Sequence, residues 1–189
     1  MEKNEFAKIV MALRTYYPRE NLLPNEQAVT LWYEQMQDLD YAAASTALKK
    51  WVATNKWSPS IAELREHTML MVKGEVKDWS EAWEDVRNAV RQYGWYNADD
   101  AVNSFDELTK KAVKQIGFTE ICTSENQAAI RANFRDIYNI MAERKKKERQ
   151  LPDSIRKEIE KITNMYMIGT KERDFVPKTQ EEHKEDSDG

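Results

Sequence analysis

Side chains that do chemistry are scarce in this chain. Of 189 residues, one is a cysteine, Cys122, and two are histidines, His67 and His183. A single cysteine excludes an internal disulfide. Two distant histidines, with no second cysteine near the first, are too few for a metal cluster or a histidine-based catalytic pair. Each reads more simply as structure, His67 as a helix histidine and Cys122 as a small buried apolar residue. Glycine is equally thin. There are five, and neither G-x-x-x-x-G-K-[ST] nor G-x-G-x-x-G occurs, so the loops that cradle nucleotide phosphates are missing.

The same shortage bears on fold and location. Five glycines and five prolines provide too little turn chemistry for a many-stranded sheet. No run approaches the roughly 20 apolar residues that a membrane-spanning helix needs. The opening M-E-K-N-E-F-A-K has no apolar core of leader length, so the expected location is cytosolic. Acidic neighbours such as Glu84-Asp85 and Asp99-Asp100 could be imagined as acid/base groups, but adjacent residues on a helix point to different sides and read better as solvated faces or caps. No catalytic, cofactor-binding or metal-binding residue is predicted, and the chain is expected not to be an enzyme.

What the sequence does have is helix punctuation. Hydrophobic residues make up 41% and charged residues 33%, and the apolar positions recur at helical spacing. Phe6, Ile9, Val10, Leu13 and Tyr17 mark a first helix stopped by Pro18. Asn25 caps a second, carrying Ala28, Leu31, Trp32 and Met36. Asp40 caps a third from Tyr41 to Ala53, with Ala44, Leu48, Trp51 and Val52 inward. Ser58-Pro59-Ser60, with Glu63 at capping-box spacing, opens a fourth, in which Ile61, Leu64, Thr68 and Met71 face inward as far as Lys73-Gly74.

After a polar connection at 75–78, Trp79, Ala82, Trp83, Val86, Val90 and Tyr93 form a helix ended by Gly94. A short helix is expected over 97–103, then Ser104 with Glu107 opens another that Gly117 ends, and one further turn spans 118–123. Ser124 with Gln127 caps the longest helix, whose buried stripe is Ile130, Phe134, Ile137, Tyr138 and Met141. Past Met141 the stripe vanishes, so 143–150 should project into solvent. Pro152 breaks that helix, and Asp153 to Met167 repeats an amphipathic pattern with Ile155, Ile159, Ile162 and Tyr166 on one face.

The expected fold class is therefore all-α: two small helical bundles joined by a short connection, a long projecting helix and a disordered C-terminal tail. The expected domains are an N-terminal four-helix domain (1–74), a second helical domain (75–151), an amphipathic helix (152–169) and a tail (170–189) too poor in apolar residues to order itself.

Charge and aromatics supply the candidate binding residues. The formal net charge is −4, yet residues 124–151 hold seven basic and four acidic side chains, whereas residues 75–123 hold six and ten. One basic island in a neutral to acidic chain argues against a broad nucleic-acid footprint, since that affinity comes from many phosphate contacts. Within the island, Arg144, Lys145, Lys146, Lys147 and Arg149 read either as a solvated helix end favoured by the helix dipole or as a contact for an acidic partner. Of six tryptophans, Trp32, Trp51, Trp79 and Trp83 fall on inward stripes. Trp57, beside Lys56 in the corner before Ser58-Pro59, reads as packing beneath that corner or as an aromatic anchor for a partner. Trp95, after Gly94, is less easily placed.

The corner Asn55-Lys56-Trp57-Ser58-Pro59-Ser60-Ile61-Ala62-Glu63-Leu64 carries a resemblance, together with Tyr16-Tyr17-Pro18, Leu31-Trp32-Tyr33 and Leu39-Asp40-Tyr41. Residues 5–70 resemble the phage family described as loader and inhibitor of the replicative helicase. The remainder, through Trp83, Val86, Tyr93-Gly94, Ile116-Gly117-Phe118, Arg131, Phe134 and Tyr138, looks like the second half of longer phage replication proteins. The resemblance implies a non-enzymatic helical adaptor in the host cytoplasm. Its implied partner is the hexameric replicative DNA helicase, which it would inhibit and help load at the origin, with an origin-binding replication protein as a further partner. The charge distribution, the lack of long apolar runs and the missing site motifs lead to the expectation of weak or no direct DNA binding, no membrane and no cofactor. The alternative reading is a DNA-binding replication organiser, with a helix-turn-helix-like segment from Phe105 to Tyr138 and residues 144–149 on phosphates. The partner-binding candidates are thus Lys56, Trp57, Arg144, Lys145, Lys146, Lys147 and Arg149.

Overall fold

The computed structural model describes residues 1–173, with side chains through residue 166. Among these the secondary structure is all helical: α1 (Lys3–Tyr16), α2 (Glu26–Met36), α3 (Tyr41–Thr54), α4 (Ile61–Lys73), α5 (Trp79–Tyr93), a 3-10 turn (Trp95–Asn97), α6 (Ala98–Asn103), α7 (Glu107–Ile116), α8 (Phe118–Thr123), α9 (Gln127–Gln150) and α10 (Asp153–Arg173). Residues 1–152 form one compact unit, and α10 opens a second.

The helix boundaries follow from local chemistry. The Asn25 and Asp40 side chains accept from the amides of Ala28 and Ala43, satisfying donors that the first helical turn leaves unpaired. Ser60 and Glu63 form the reciprocal box, with Ser60 N–H donating to Glu63 at 2.8 Å and Glu63 N–H to Ser60 Oγ at 3.3 Å. Pro59 lies just outside the helix, buried, rather than in its first turn. Glu2 and Glu5 make a second box at α1.

Two starts differ from expectation. Asp106, not Ser104, caps α7, because its carboxylate reaches the amides of Leu108 and Thr109 and the Thr109 hydroxyl together. Asn126, not Ser124, caps α9. In both cases an Asx side chain nearer the apolar run outcompetes a serine two residues upstream.

The first unit holds two hydrophobic clusters. One joins α1 to α4 through Phe6, Ile9, Leu13, Met36, Leu39, Leu48 and Leu64. The other joins α5 to α9 through Trp83, Val86, Ala112, Val113, Phe118, Phe134 and Tyr138. Two residues assigned inward by spacing lie outside. Leu31 is 55% exposed, because α2 turns Val29, Trp32, Tyr33 and Met36 to the core. Met71 is 39% exposed, beyond the point where α3 covers α4.

The 24-residue helix α9 starts in the second cluster and packs against α4 of the first. Its segment 143–150, expected to stand free, is exposed over most of its length, but its last turn lies against α4: the buried side chain of Arg65 donates to the Gln150 carbonyl. Tyr138 ties the middle of α9 to the connection after α4, its hydroxyl donating to the Lys77 carbonyl at 3.0 Å.

In the second unit, α10 carries the expected stripe, with Ile159, Ile162 and Tyr166 exposed, and runs on past Met167 to Arg173. Of the expected tail, residues 174–189 lie outside the described residues.

Candidate functional site

The corner between α3 and α4 is held from beneath. Asn55 N–H donates to the Trp51 carbonyl at 2.8 Å, ending α3. The Trp51 indole N–H then donates to the Trp57 carbonyl at 2.8 Å, and the Trp51 ring meets the His67 ring edge-on at 5.1 Å. From the other side Glu20 accepts from the Ser58 hydroxyl at 2.5 Å and from the Ser58 amide at 3.3 Å. With Trp51 and Pro59 filling the underside, Trp57 is turned out. The residue is 67% exposed, and the Lys56 ammonium sits 5.1 Å from its ring centroid. Packing beneath the corner is therefore the work of Trp51, and Trp57, held through its carbonyl, presents an exposed aromatic face next to a cation.

The basic run does not form one patch. Arg144 and Lys145 turn toward α7 and line a groove of about 310 Å³ with Glu107, Leu108, Lys111, Met141 and Glu148. Lys146 and Arg149 turn the other way, into a groove of about 300 Å³ beside the end of α4, with Glu66, Leu70, Gly74 and Val76. Lys146 pairs with Glu143 at 3.1 Å, and Arg149 donates to the Gly74 carbonyl at 3.4 Å. Lys147 is exposed. Helical geometry explains the split, since successive residues are rotated by roughly 100°. No hydrogen bond or ion pair among the described residues joins this run to the Lys56-Trp57 corner.

A pair that the spacing argument missed lies between these features. Arg65 is 2% exposed, and its guanidinium meets the Asp38 carboxylate at 2.7 Å and 2.8 Å through parallel contacts. The same group donates to the carbonyls of Gln35 and Gln150. One side chain thus finishes the C-terminal end of α2, the turn into α3 and the end of α9. A signal was present in the sequence: Ile61, Leu64, Arg65 and Thr68 share one inward face, and a charge on such a face needs a partner.

The remaining titratable groups behave as structure. Burial raises the Cys122 thiol, keeping it in the unreactive protonated form. The Ser60 hydroxyl and amide hold the Glu63 carboxyl below its usual range. Burial would raise Asp106, but hydrogen bonds from Thr109 and Leu108 outweigh it and lower the carboxyl. Burial pushes the Tyr138 phenol up to about 12. Among the described residues no group of three or more His, Cys, Asp or Glu side chains could hold a metal ion, and no helix is long and apolar enough to cross a membrane.

The stretch from α1 to the start of α4 is similar to a known family. Residues 1–65 match the family model for the N-terminal domain of a phage helicase loader and inhibitor. The matched module takes in the Glu20-held corner with Lys56 and Trp57, and it ends at Arg65, so both members of the Arg65–Asp38 pair lie inside it. No curated protein and no solved structure matches the chain.

Proposed function

We propose that this chain is a phage or prophage DNA-replication adaptor that binds the hexameric replicative helicase, restrains it and assists its loading at the origin, with an origin-binding replication protein as a second partner. The match of residues 1–65 to the N-terminal domain of the helicase loader and inhibitor family carries this reading. In it the helicase is met by the Lys56-Trp57 corner, and the basic end of α9, Arg144 to Arg149, provides a second contact. Exposed aromatic residues are favoured interface anchors because they bring a large contact area with only two side-chain torsions to fix on docking. The chain would act in the host cytoplasm by binding alone. It would favour one state of the helicase over another through differential affinity rather than through its own chemistry.

The alternative, a DNA-binding organiser built on 105–138, draws less support. The six-residue α8 carries one charged side chain, Glu120, and of the α9 arginines in that segment Arg131 sits over the Trp79 ring and Arg135 pairs with Asp136. Of the α7 lysines in that segment, Lys110 is engaged by Asn103, which leaves Lys111 and Lys114 as its cations for phosphates.

Size-exclusion chromatography of the full chain with a hexameric replicative helicase, followed by an ATPase assay, tests the proposal. The expected outcome is co-elution and a lowered helicase ATPase rate. Absence of a complex at micromolar concentrations with the helicase of the host and that of the phage would overturn it.

A further inference from the structure

The groove between α7 and α9 contains more than the basic run supplies. Lys111 of α7 faces Arg144 and Lys145 of α9 across it, so cations from two helices 33 residues apart in sequence converge on one surface. None of the three has an ion-pair or hydrogen-bond partner among the described residues, whereas neighbouring Lys146 and Lys110 are engaged by Glu143 and Asn103. The lining also includes Leu108, which is 5% exposed, and the half-buried Met141. The cations therefore stand around an apolar lining rather than along a solvated track.

We propose that this groove docks an acidic protein segment bearing an apolar anchor. The anchor sits on Leu108 and Met141, and its flanking carboxylates meet Lys111, Arg144 and Lys145. Three features favour a protein over a nucleic acid. A phosphate backbone would bring negative charge to every part of the surface, but Glu107 and Glu148 line the same groove and repel it. A protein segment can place its carboxylates away from those two positions, so Glu107 and Glu148 select the register instead of blocking the site. The apolar lining gains nothing from phosphate and does gain from burying a leucine-sized side chain, and methionine adapts readily to such occupants. A cationic rim around an apolar slot is also the complement of an amphipathic acidic helix. This inference holds whether or not the helicase is the partner, because it concerns a surface outside the 1–65 module.

Fluorescence anisotropy of the full chain tests it with three fluorescein-labelled probes: a Glu-rich peptide with one central leucine, the same peptide with serine in place of leucine, and oligothymidylate. The leucine peptide is expected to bind about tenfold more tightly than the serine peptide, the lower end of what burying one leucine is worth. Replacing Lys111, Arg144 and Lys145 together by Gln should weaken it by a further tenfold or more, whereas Lys49→Gln, at an exposed lysine outside the groove, should leave it unchanged. Met141→Ser, which touches no charge, should remove the preference for leucine, and circular dichroism verifies that each variant is folded. Oligothymidylate binding as tight as the peptide's and lost in the triple variant would overturn the proposal in favour of a phosphate site. Equal losses for Lys49→Gln and Lys145→Gln would overturn it in favour of diffuse attraction. No binding of the leucine peptide would also overturn it.

Discussion

Arg65 and Asp38 meet through two parallel contacts of 2.7 Å and 2.8 Å in a place where the arginine is all but closed to solvent. A bidentate pair of this kind offers the guanidinium fork two matched acceptors, and two backbone carbonyls engage its other donors. Lysine has the charge but not the fork. Arg65→Met is expected to lower stability by about 3–5 kcal/mol, because the carboxylate and the freed carbonyls lose their donors together. Arg65→Lys should recover only part of that loss. Urea denaturation followed by far-ultraviolet circular dichroism gives both numbers, and a lysine variant as stable as the parent would refute the geometric argument.

Trp57 allows fold and function to be separated. Its ring is exposed, and the corner is held through its carbonyl, which any residue possesses. Trp57→Ala should therefore leave the melting temperature unchanged while costing about 2 kcal/mol or more in helicase affinity, the range of an interfacial aromatic anchor. Trp51→Phe should do the opposite, loosening the corner by removing the indole donor. Calorimetric titration of both variants with the helicase distinguishes the two roles.

Asp106 makes the acid side of stability specific. Its folded-state pKa lies below the ordinary carboxylate value, so ionised Asp106 contributes stability that is fully present above the unfolded value and is lost as pH falls through the folded one. Asp106→Asn keeps one oxygen for the amides but loses the one that accepts from the Thr109 hydroxyl, so it should cost about 1 kcal/mol near neutrality, and that cost should shrink as pH falls below the usual carboxylate range. Thermal melts of parent and variant across the acid range would show the two curves converging. Curves that stay parallel would assign the cap to some other group.

Gly74 and Gly94 both end helices at positive φ, 68° and 65°. An added Cβ at Gly74 meets nothing within 4 Å, whereas at Gly94 it comes within 3.1 Å of the Tyr96 ring. Gly74→Ala should cost about 1–3 kcal/mol for the backbone alone, because φ 68° with ψ 177° is a conformation open essentially only to glycine. Gly94→Ala should cost more unless the exposed Tyr96 ring swings away, and Gly94→Ala combined with Tyr96→Ala should return to the Gly74→Ala value. Chemical denaturation of the set provides the comparison.

Much of the fold was legible because helices announce themselves locally. Asn25, Asp40 and the Ser60–Glu63 box each act within four residues, and the stripes of α1, α5 and α9 repeat every three or four. The corner was legible by resemblance, although the orientation of Trp57 was not. Which of two neighbouring tryptophans fills the underside depends on Glu20 and Ser58 meeting across 38 residues of chain. The α7–α9 groove escaped for the same reason: Lys111 looks like any surface lysine until α7 is laid beside Arg144 and Lys145. Leu31 and Met71 were misplaced because periodicity defines a face but not how far the neighbouring helix extends over it.

At about 1.5 Å per residue the 24 residues of α9 measure about 36 Å, long enough for one end to sit among Phe134, Trp83 and the start of the second cluster while the other supplies the Gln150 carbonyl to Arg65. Arg144 and Lys145 thus stand about one and a half turns from the carbonyl on which Arg65, the last residue of the matched 1–65 segment, closes, and one unbroken helix carries both.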